Sequence, residues 1–532
     1  MKLRSISLLA VLLASGTAIN AQELSIGLKS EATSMDPQFH QLSTNIQVAL
    51  NIFEALTKQD AVQKVSPGLA SEWEAENDTT WRFTLQDGVK FHNGSDFTAR
   101  DVIYSFCRIP LVENSPSPYT IYTSGIANMT AEGDHTLIIE TEKANPLLPT
   151  ELASLPILSA DALGVEDQVT YAQDGNCEGM GDVPQAPAFN SPDIAVGTGP
   201  YKLEKYTRGA EIVLSRNDEY WDGAPDWESV TLRPITSNGP RVAALLAGDV
   251  DMIESPPIQD VSRVEDAGFK IVDALSNRII YLHMQQLEDA PDITGTDGKN
   301  PLMDAKVRKA ISLSINREAI VDRIMGGYAV AAGELLPPPM FGTTERPVDS
   351  YDPERAKELL AEAGYPDGFG LTLGTPNDRY INDEQVAQAV AQMLERIGIT
   401  TTVDAMTASQ FFSRRNNLEF PLYMAGWGAS SGEMSNPLKA LLATYDEEAG
   451  LGGTNAGRYS NPEMDELLKQ AMSTIDDTER EKLLQEAETL ALDDHGLIPL
   501  HYEQTVWAMK SDLSYEPRVD QYTLASEVKP AE

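Results

Sequence analysis

Positive charge is what this chain has least of. It carries 40 Lys and Arg against 81 Asp and Glu, a formal net charge of −41, and a field of that sign repels nucleic acid and anionic lipid. The expectation is therefore no nucleic-acid partner and no direct membrane insertion. The acidic excess reads first as a solubility device and second as a preference for a cationic ligand. Cysteine is nearly absent. Cys107 and Cys177 are too few for a disulfide scaffold and lack metal-ligand spacing. In an oxidising compartment they can form one bridge, although their positions in sequence do not show that they meet. Long apolar runs are missing too. The stretch from Ile6 to Ala14 is too short to cross a bilayer as a helix. With Lys2 and Arg4 before it and small residues after it, it reads as an export signal cut after Ala21. No cysteine follows that position to carry a lipid, so the expectation is a freely diffusing periplasmic protein, acting as a monomer.

The remaining length exceeds what one hydrophobic core serves, which predicts two or three domains. Its first half reads as strands interleaved with helices. Trp81, Phe83 and Leu85 alternate with polar residues, and the Asp87-Gly88 turn predicts a hairpin continuing through Val89 to Phe91. A second hairpin is predicted from 201–206 through Arg208-Gly209 into 211–215. Thr98 begins a helix, with Asp101 placed to complete a capping box. The second half is rich in amphipathic helices with clear ends. Asp352 caps and Pro353 opens one that closes at Gly364, and Asn461-Pro462 begins another. From Val386 to Ile397 an apolar stripe at helical spacing predicts a core-facing helix ended by Gly398. Short β-branched runs at 399–403 and 420–427 follow helices, so the fold class is α/β with a layered sheet. Ligand sites in such sheets lie beyond strand ends.

One strand end raises an enzymatic possibility. Residues 426–432 read GWGASSG, in which Gly428, Ser430 and Gly432 make a G-x-S-x-G. In hydrolases that pattern presents a nucleophilic serine on a strained strand-to-helix turn. It needs a helix directly after the serine, a base and an oxyanion hole. Glu433 to Pro437 reads instead as a loop, His495 and His501 sit in a helix end and an apolar strand, and His92 precedes a poor glycine-rich segment. Exported serine hydrolysis at Ser430 therefore stands as the alternative from another class. The acidic loop at 287–301 holds Asp289, Asp292 and Asp297 but misses calcium-loop spacing. His283 has no histidine neighbours in sequence, which favours packing over metal ligation. No cofactor or metal is expected.

Several segments, in order over nearly the whole chain, resemble the dipeptide and oligopeptide-binding family of periplasmic solute-binding proteins that serve ABC importers. They are NIFEALTKQD (51–60), SPGLASEWE (66–74), WRFTLQDGVKFHNGSDFTARDVIYSF (81–106), VGTGPYKL (196–203) and RNDEYWDGAPDWESV (216–230). The resemblance continues in VRKAISLSINREAIVDRIMGG (307–327), YDPERAKELLAEAGYPDG (351–368) and IPLHY (498–502). It implies a two-lobed periplasmic binding protein fold with a hinge and an additional domain in the first lobe. The implied division is 22–55 and 190–280 as lobe I, 56–189 as the additional domain, 281–502 as lobe II, and 503–532 returning to lobe I. It implies binding without catalysis, with a peptide or peptide-like solute held between the lobes and an inner-membrane permease complex as partner.

In peptide-binding relatives the loop matching 426–438 carries a tryptophan and, three residues later, an aspartate that pairs with the peptide's amino terminus. Gly426 and Trp427 match that pattern, with Gly428 following, but Ser430 stands at the aspartate's place. A hydroxyl does not neutralise a buried ammonium, and leaving one uncompensated costs several kcal/mol. The alternative solutes are thus an opine, a sugar-phosphate or a glutathione-like conjugate, with Glu433 as a substitute acid if the backbone brings it round. Arg379 offers a planar fork for a carboxylate or phosphate, and Tyr380 stands beside it. Met35 and Asp36 follow the first strand, where relatives form a lip of the cleft. Tyr281 lies on a strand near the lobe crossover, where relatives contact the ligand backbone. These nine residues make up the expected ligand site.

Overall fold

A computed structural model describes residues 22–165, 168–173 and 176–531. The predicted export signal lies outside the described residues. One 11-stranded sheet runs through the molecule. Its order from one edge is Ile399–Met406, Phe369–Pro376, Leu422–Gly428, Lys270–Met284, Leu497–Met509, Met252–Glu254, Glu23–Leu28, Ser229–Pro234, Glu211–Arg216 and Tyr201–Thr207, with Ala329–Ala331 pairing Leu497–Met509 off this path. The Glu23–Leu28 strand is parallel to both its neighbours, and so is Phe369–Pro376 on the opposite side. These two parallel sets are joined by a long antiparallel pair, Lys270–Met284 with Leu497–Met509. Those strands stay paired from one set to the other, with a break in register between Leu275/Gln504 and Ile279/Tyr502. Ser276, Asn277 and Arg278 fill the break opposite Glu503 alone, an interruption that bends a strand and re-aims its side chains.

Helices cover both faces of the Phe369–Pro376 set, which explains its near-continuous apolar strands. One core packs Tyr281, Phe411, Phe420, Tyr423 and Leu484; the other packs Ile280, Leu282, Val386, Val390 and Leu394. The predicted Val386–Ile397 stripe is the buried face of helix Asp383–Glu395. A separate core runs from Leu24 and Ile26 through Phe53, Phe83 and Phe106 to Trp507. It includes a four-stranded sheet in the order Ala70–Asn77, Thr80–Leu85, Thr136–Thr141, Ile126–Ala131.

Local signals hold where they are local. The Thr98 amide donates to Asp101 Oδ2 at 2.9 Å, Asp352 accepts from the Arg355 amide at 2.9 Å, and Asn461 caps helix Pro462–Ala471. The hairpin over 201–215 forms with its turn at Gly209. The predicted hairpin from Trp81 to Phe91 does not. Asp87-Gly88 is a turn, but Thr80–Leu85 pairs with Ala70–Asn77 and Thr136–Thr141 instead. Alternation had shown a half-buried strand and could not name its partner. Cys107 and Cys177 form a disulfide across 70 positions, tying helix Ala99–Arg108 to the loop that follows the four-stranded sheet.

Candidate functional site

Carboxyl ends of both parallel sets converge on the strand break. From one side comes Lys29, directly after Glu23–Leu28, whose amide donates to Glu254 Oε2 at 2.8 Å. From the other come the loop after Phe369–Pro376, whose Ile381 amide donates to Glu503 Oε1 at 2.9 Å, and the loop after Leu422–Gly428, whose Ala429 amide donates to the Asn277 carbonyl at 3.3 Å. Crevices outside strand carboxyl ends are where open α/β sheets bind ligands. Beside the break a cavity of about 550 Å³ opens, walled in part by Glu54, Gln63, Arg278, Gly428, Ser430 and Tyr522. Small-molecule pockets commonly run about 300–1,000 Å³, so this space suits a solute of a few residues.

The polar lining is specific. Glu54 accepts from Tyr220 Oη at 2.8 Å and Trp221 Nε1 at 2.9 Å, and burial raises its carboxyl above the ordinary range. Gln63 Nε2 donates to the Ser430 carbonyl at 3.0 Å, and Gln59 Nε2 to the same oxygen at 3.3 Å. Asn277 Nδ2 joins Gln63 Oε1 at 2.9 Å and the Ala429 carbonyl at 3.2 Å. The loop's carbonyls are thus held from below, and the Ser430 side chain is left exposed. At the floor, Arg278 Nε lies 3.5 Å from Glu503 Oε2. Burial raises the Glu503 carboxyl, with Arg278 pulling it back down; burial lowers the Lys29 ammonium, with Glu254 opposing.

Five of the nine expected residues gather in the loops at these strand ends, two of them on the cavity wall. Arg379 is exposed, with its guanidinium 6.0 Å from the Tyr380 ring centre. Tyr380 Oη donates to the Gly426 carbonyl at 3.1 Å, binding the two loops to each other. Gly426 permits this contact: a Cβ there would stand 2.7 Å from the Tyr380 ring. Trp427 is half-buried and donates from Nε1 to Asn436 Oδ1 at 2.8 Å. Gly428 and Ser430 border the cavity.

The other four are engaged in the interior. Met35 packs in the Leu24 core. Asp36 forms a fully buried ion pair with Arg108. Tyr281 is buried beside His283 in the core of the Phe369–Pro376 set, because the strand is packed on both faces there. Glu433, the candidate substitute acid, is buried, accepts from Ser435 Oγ at 2.7 Å and lies 3.2 Å from Arg480 Nη1. Its charge is already compensated. Lys29, Arg278 and Glu503 went unrecognised in the sequence; the signal was a charged residue interrupting an apolar strand in SNRIIYLHM and in IPLHYEQTVWAM.

Nothing around Ser430 serves hydrolysis. Among the described residues its hydrogen bonds are made by its carbonyl alone. His283 Nδ1 is paired with Tyr423 Oη at 2.8 Å, His495 Nε2 with Asp349 at 3.1 Å, and His92 with the Gly199 carbonyl at 3.0 Å. Among the described residues no group of three metal-ligating side chains occurs, and no helix is long and apolar enough to cross a membrane.

Comparison with known proteins agrees with this geometry. The chain is 28% identical over 517 residues to the glutathione-binding protein GsiB of Salmonella paratyphi A, covering 95% of this chain and 94% of that protein. Its fold matches the unliganded open form of the periplasmic murein tripeptide-binding protein MppA (TM-score 0.79, 24% identity, 96% and 98% of the two chains). It also matches a dipeptide-binding protein from Pseudoalteromonas sp. SM9913 in complex with Met-Leu (TM-score 0.71, 22% identity, 96% and 100%). Residues 64–448 match the family described as bacterial extracellular solute-binding proteins, family 5, so the chain belongs to that family of non-enzymatic ABC-transporter binding proteins.

Proposed function

We propose that this protein is the periplasmic binding component of an ABC importer, capturing a peptide or peptide-like solute in the cleft at the strand break and delivering it to an inner-membrane permease. The observation that carries this reading is the convergence of two parallel strand sets on one cavity, floored by the paired strands that join them. Residues from both sides enclose a solute there, and desolvation makes each of its polar groups depend on a protein partner. Differential affinity for the enclosed state is what drives closure. We take 22–55 and 190–280 with 503–532 as lobe I, 56–189 as its additional domain and 281–502 as lobe II; one core runs through lobe I and the additional domain alike. Arg379, Tyr380, Trp427, Gly428 and Ser430 are the proposed contacts from lobe II.

The Ser430 hydroxyl, with Glu433 engaged elsewhere, favours a solute that does not rely on a carboxylate at this loop to bind its amino terminus. A conjugate of the glutathione type fits that requirement, and a relative over almost the whole chain carries that name. The test is mass spectrometry of the solute that copurifies from the native host, followed by thermal denaturation with glutathione and with di- and tripeptides. A native-state ligand raises the midpoint in proportion to the logarithm of its concentration above Kd. No midpoint shift with any peptide or glutathione would reject this reading of the solute class.

A further inference from the structure

We propose that Lys29 and Arg278 together form a carboxylate-binding seat on the cleft floor, so that the solute is gripped by an acid group at the strand break. The inference rests on the peptide-like reading above and names the group that this site selects.

Two charge pairs flank the break: the Lys29 backbone is fixed to Glu254 through its amide at 2.8 Å, and Arg278 Nε faces Glu503 Oε2 at 3.5 Å, with the Lys29 ammonium within electrostatic reach of all three. Formally they cancel, but their bonds do not. Both Glu254 oxygens are taken, Oε2 by the Lys29 amide at 2.8 Å and Oε1 by Gln47 Nε2 at 2.8 Å. Glu503 Oε1 is taken by the Ile381 amide at 2.9 Å, leaving Oε2 at 3.5 Å from Arg278 Nε. Among the described residues no carboxylate lies within 4.0 Å of Lys29 Nζ, and neither Arg278 Nη makes a hydrogen bond. Arg278 Nη2 lies over Gly428, where a Cβ would come within 3.5 Å of it, and the side chain lines the cavity. The floor therefore holds two cations with unused donors beside two carboxylates whose acceptors are largely committed.

Unpaired cations away from bulk water are costly, and a partner carboxylate with several donors offsets that cost. The depressed Lys29 ammonium has the same origin, since burial outweighs the attraction of Glu254. A solute carboxylate here would take donors from an ammonium and a guanidinium at once. Lys29 follows a strand of one parallel set, whereas Arg278 lies in the break, so an acid bound between them bridges the elements that closure brings together.

The experiment is calorimetric titration of Ala-Ala-Ala, its carboxy-terminal amide, and glutathione into the wild-type protein, Lys29→Met and Arg278→Gln. The wild type is expected to prefer the free acid to the amide at least tenfold. Each variant is expected to weaken the free acid and glutathione at least tenfold and to bring acid and amide within about threefold of each other. The unliganded Lys29→Met protein should melt no lower than wild type, because the substitution removes a desolvated charge; this separates lost recognition from lost folding. If the peptides bind and the acid-to-amide ratio stays the same in both variants, the seat is overturned while the peptide-like reading stands. If none of the three solutes binds the wild type, both fall together.

Discussion

Asp36 and Arg108 form a two-pronged ion pair, with Nη2 to Oδ2 at 2.6 Å and Nη1 to Oδ1 at 3.0 Å, both side chains fully buried. Arg108 also donates to Gln38 Oε1 and to the Pro184 carbonyl, so the pair fastens the loop after the first strand to helix Ala99–Arg108. Removing one member strands the other charge, which costs about 3–5 kcal/mol. Asp36→Asn is therefore expected to lower the denaturation midpoint sharply while leaving solute affinity of the folded protein within threefold. A large affinity loss without a stability loss would return Asp36 to the binding site.

Arg379 has the opposite character, being exposed with no carboxylate within 4.0 Å among the described residues. Arg379→Ala should leave the melting midpoint of the unliganded protein unchanged. It should weaken an anionic solute at least tenfold, about 1.4 kcal/mol. Calorimetric titration decides it, and unchanged affinity removes the residue from the site.

At Ser430 two substitutions make a pair. Ser430→Ala should retain solute binding, and an active-site serine probe should label neither protein. Ser430→Asp supplies a carboxylate at the loop, so peptides with a free amino terminus should gain affinity over their N-acetylated forms relative to wild type. An equal effect on both forms would show that the amino terminus lies elsewhere.

Glu488 is buried in helix Asp477–Asp493, with Oε1 accepting from the Leu335 amide at 2.9 Å and Oε2 unpartnered among the described residues. Burial, reinforced by Glu334, pushes its carboxyl up to about 8. An acid raised in the folded state holds a proton that the unfolded chain has already released, so stability falls as pH rises from the unfolded value near 4.5 through about 8. Glu488→Gln should thus stabilise the protein increasingly over that interval, by on the order of a few kcal/mol at pH 8, and hardly at all at pH 4. Parallel melting curves against pH for the two proteins would contradict it.

Legibility in the sequence followed the range of the interaction. The caps at Thr98, Asp352 and Asn461 involve partners three residues away or fewer, and each forms as read. The Trp81 strand pairs backward with 70–77 across a two-residue turn and with the distant 136–141, so the predicted hairpin lies on the wrong side of it. Tyr281 reads correctly as a strand residue near the crossover, yet the sequence could not show that both faces of that strand are core there, Tyr281 on one side and Ile280 and Leu282 on the other. The Trp427 loop was found because glycines and an indole at a strand end are a local pattern. Lys29 left no such mark: it becomes distinctive only when Glu254 and the break assemble around it.

For the proposed closure, the interruption at Ser276 to Arg278 is where the joining strands bend most easily. The ladder slips once more at Ile280/Tyr281, so the joining strands are least regular from Ser276 to Tyr281, where Asn277 is clamped by Gln63, the Ala429 carbonyl and the Val519 carbonyl. A side chain that touches cargo from the axle itself moves little while the rims travel far. In the proposed closure, occupancy would be sensed at the pivot and displayed at the lips, the arrangement of a lever whose short arm is loaded and whose long arm is read.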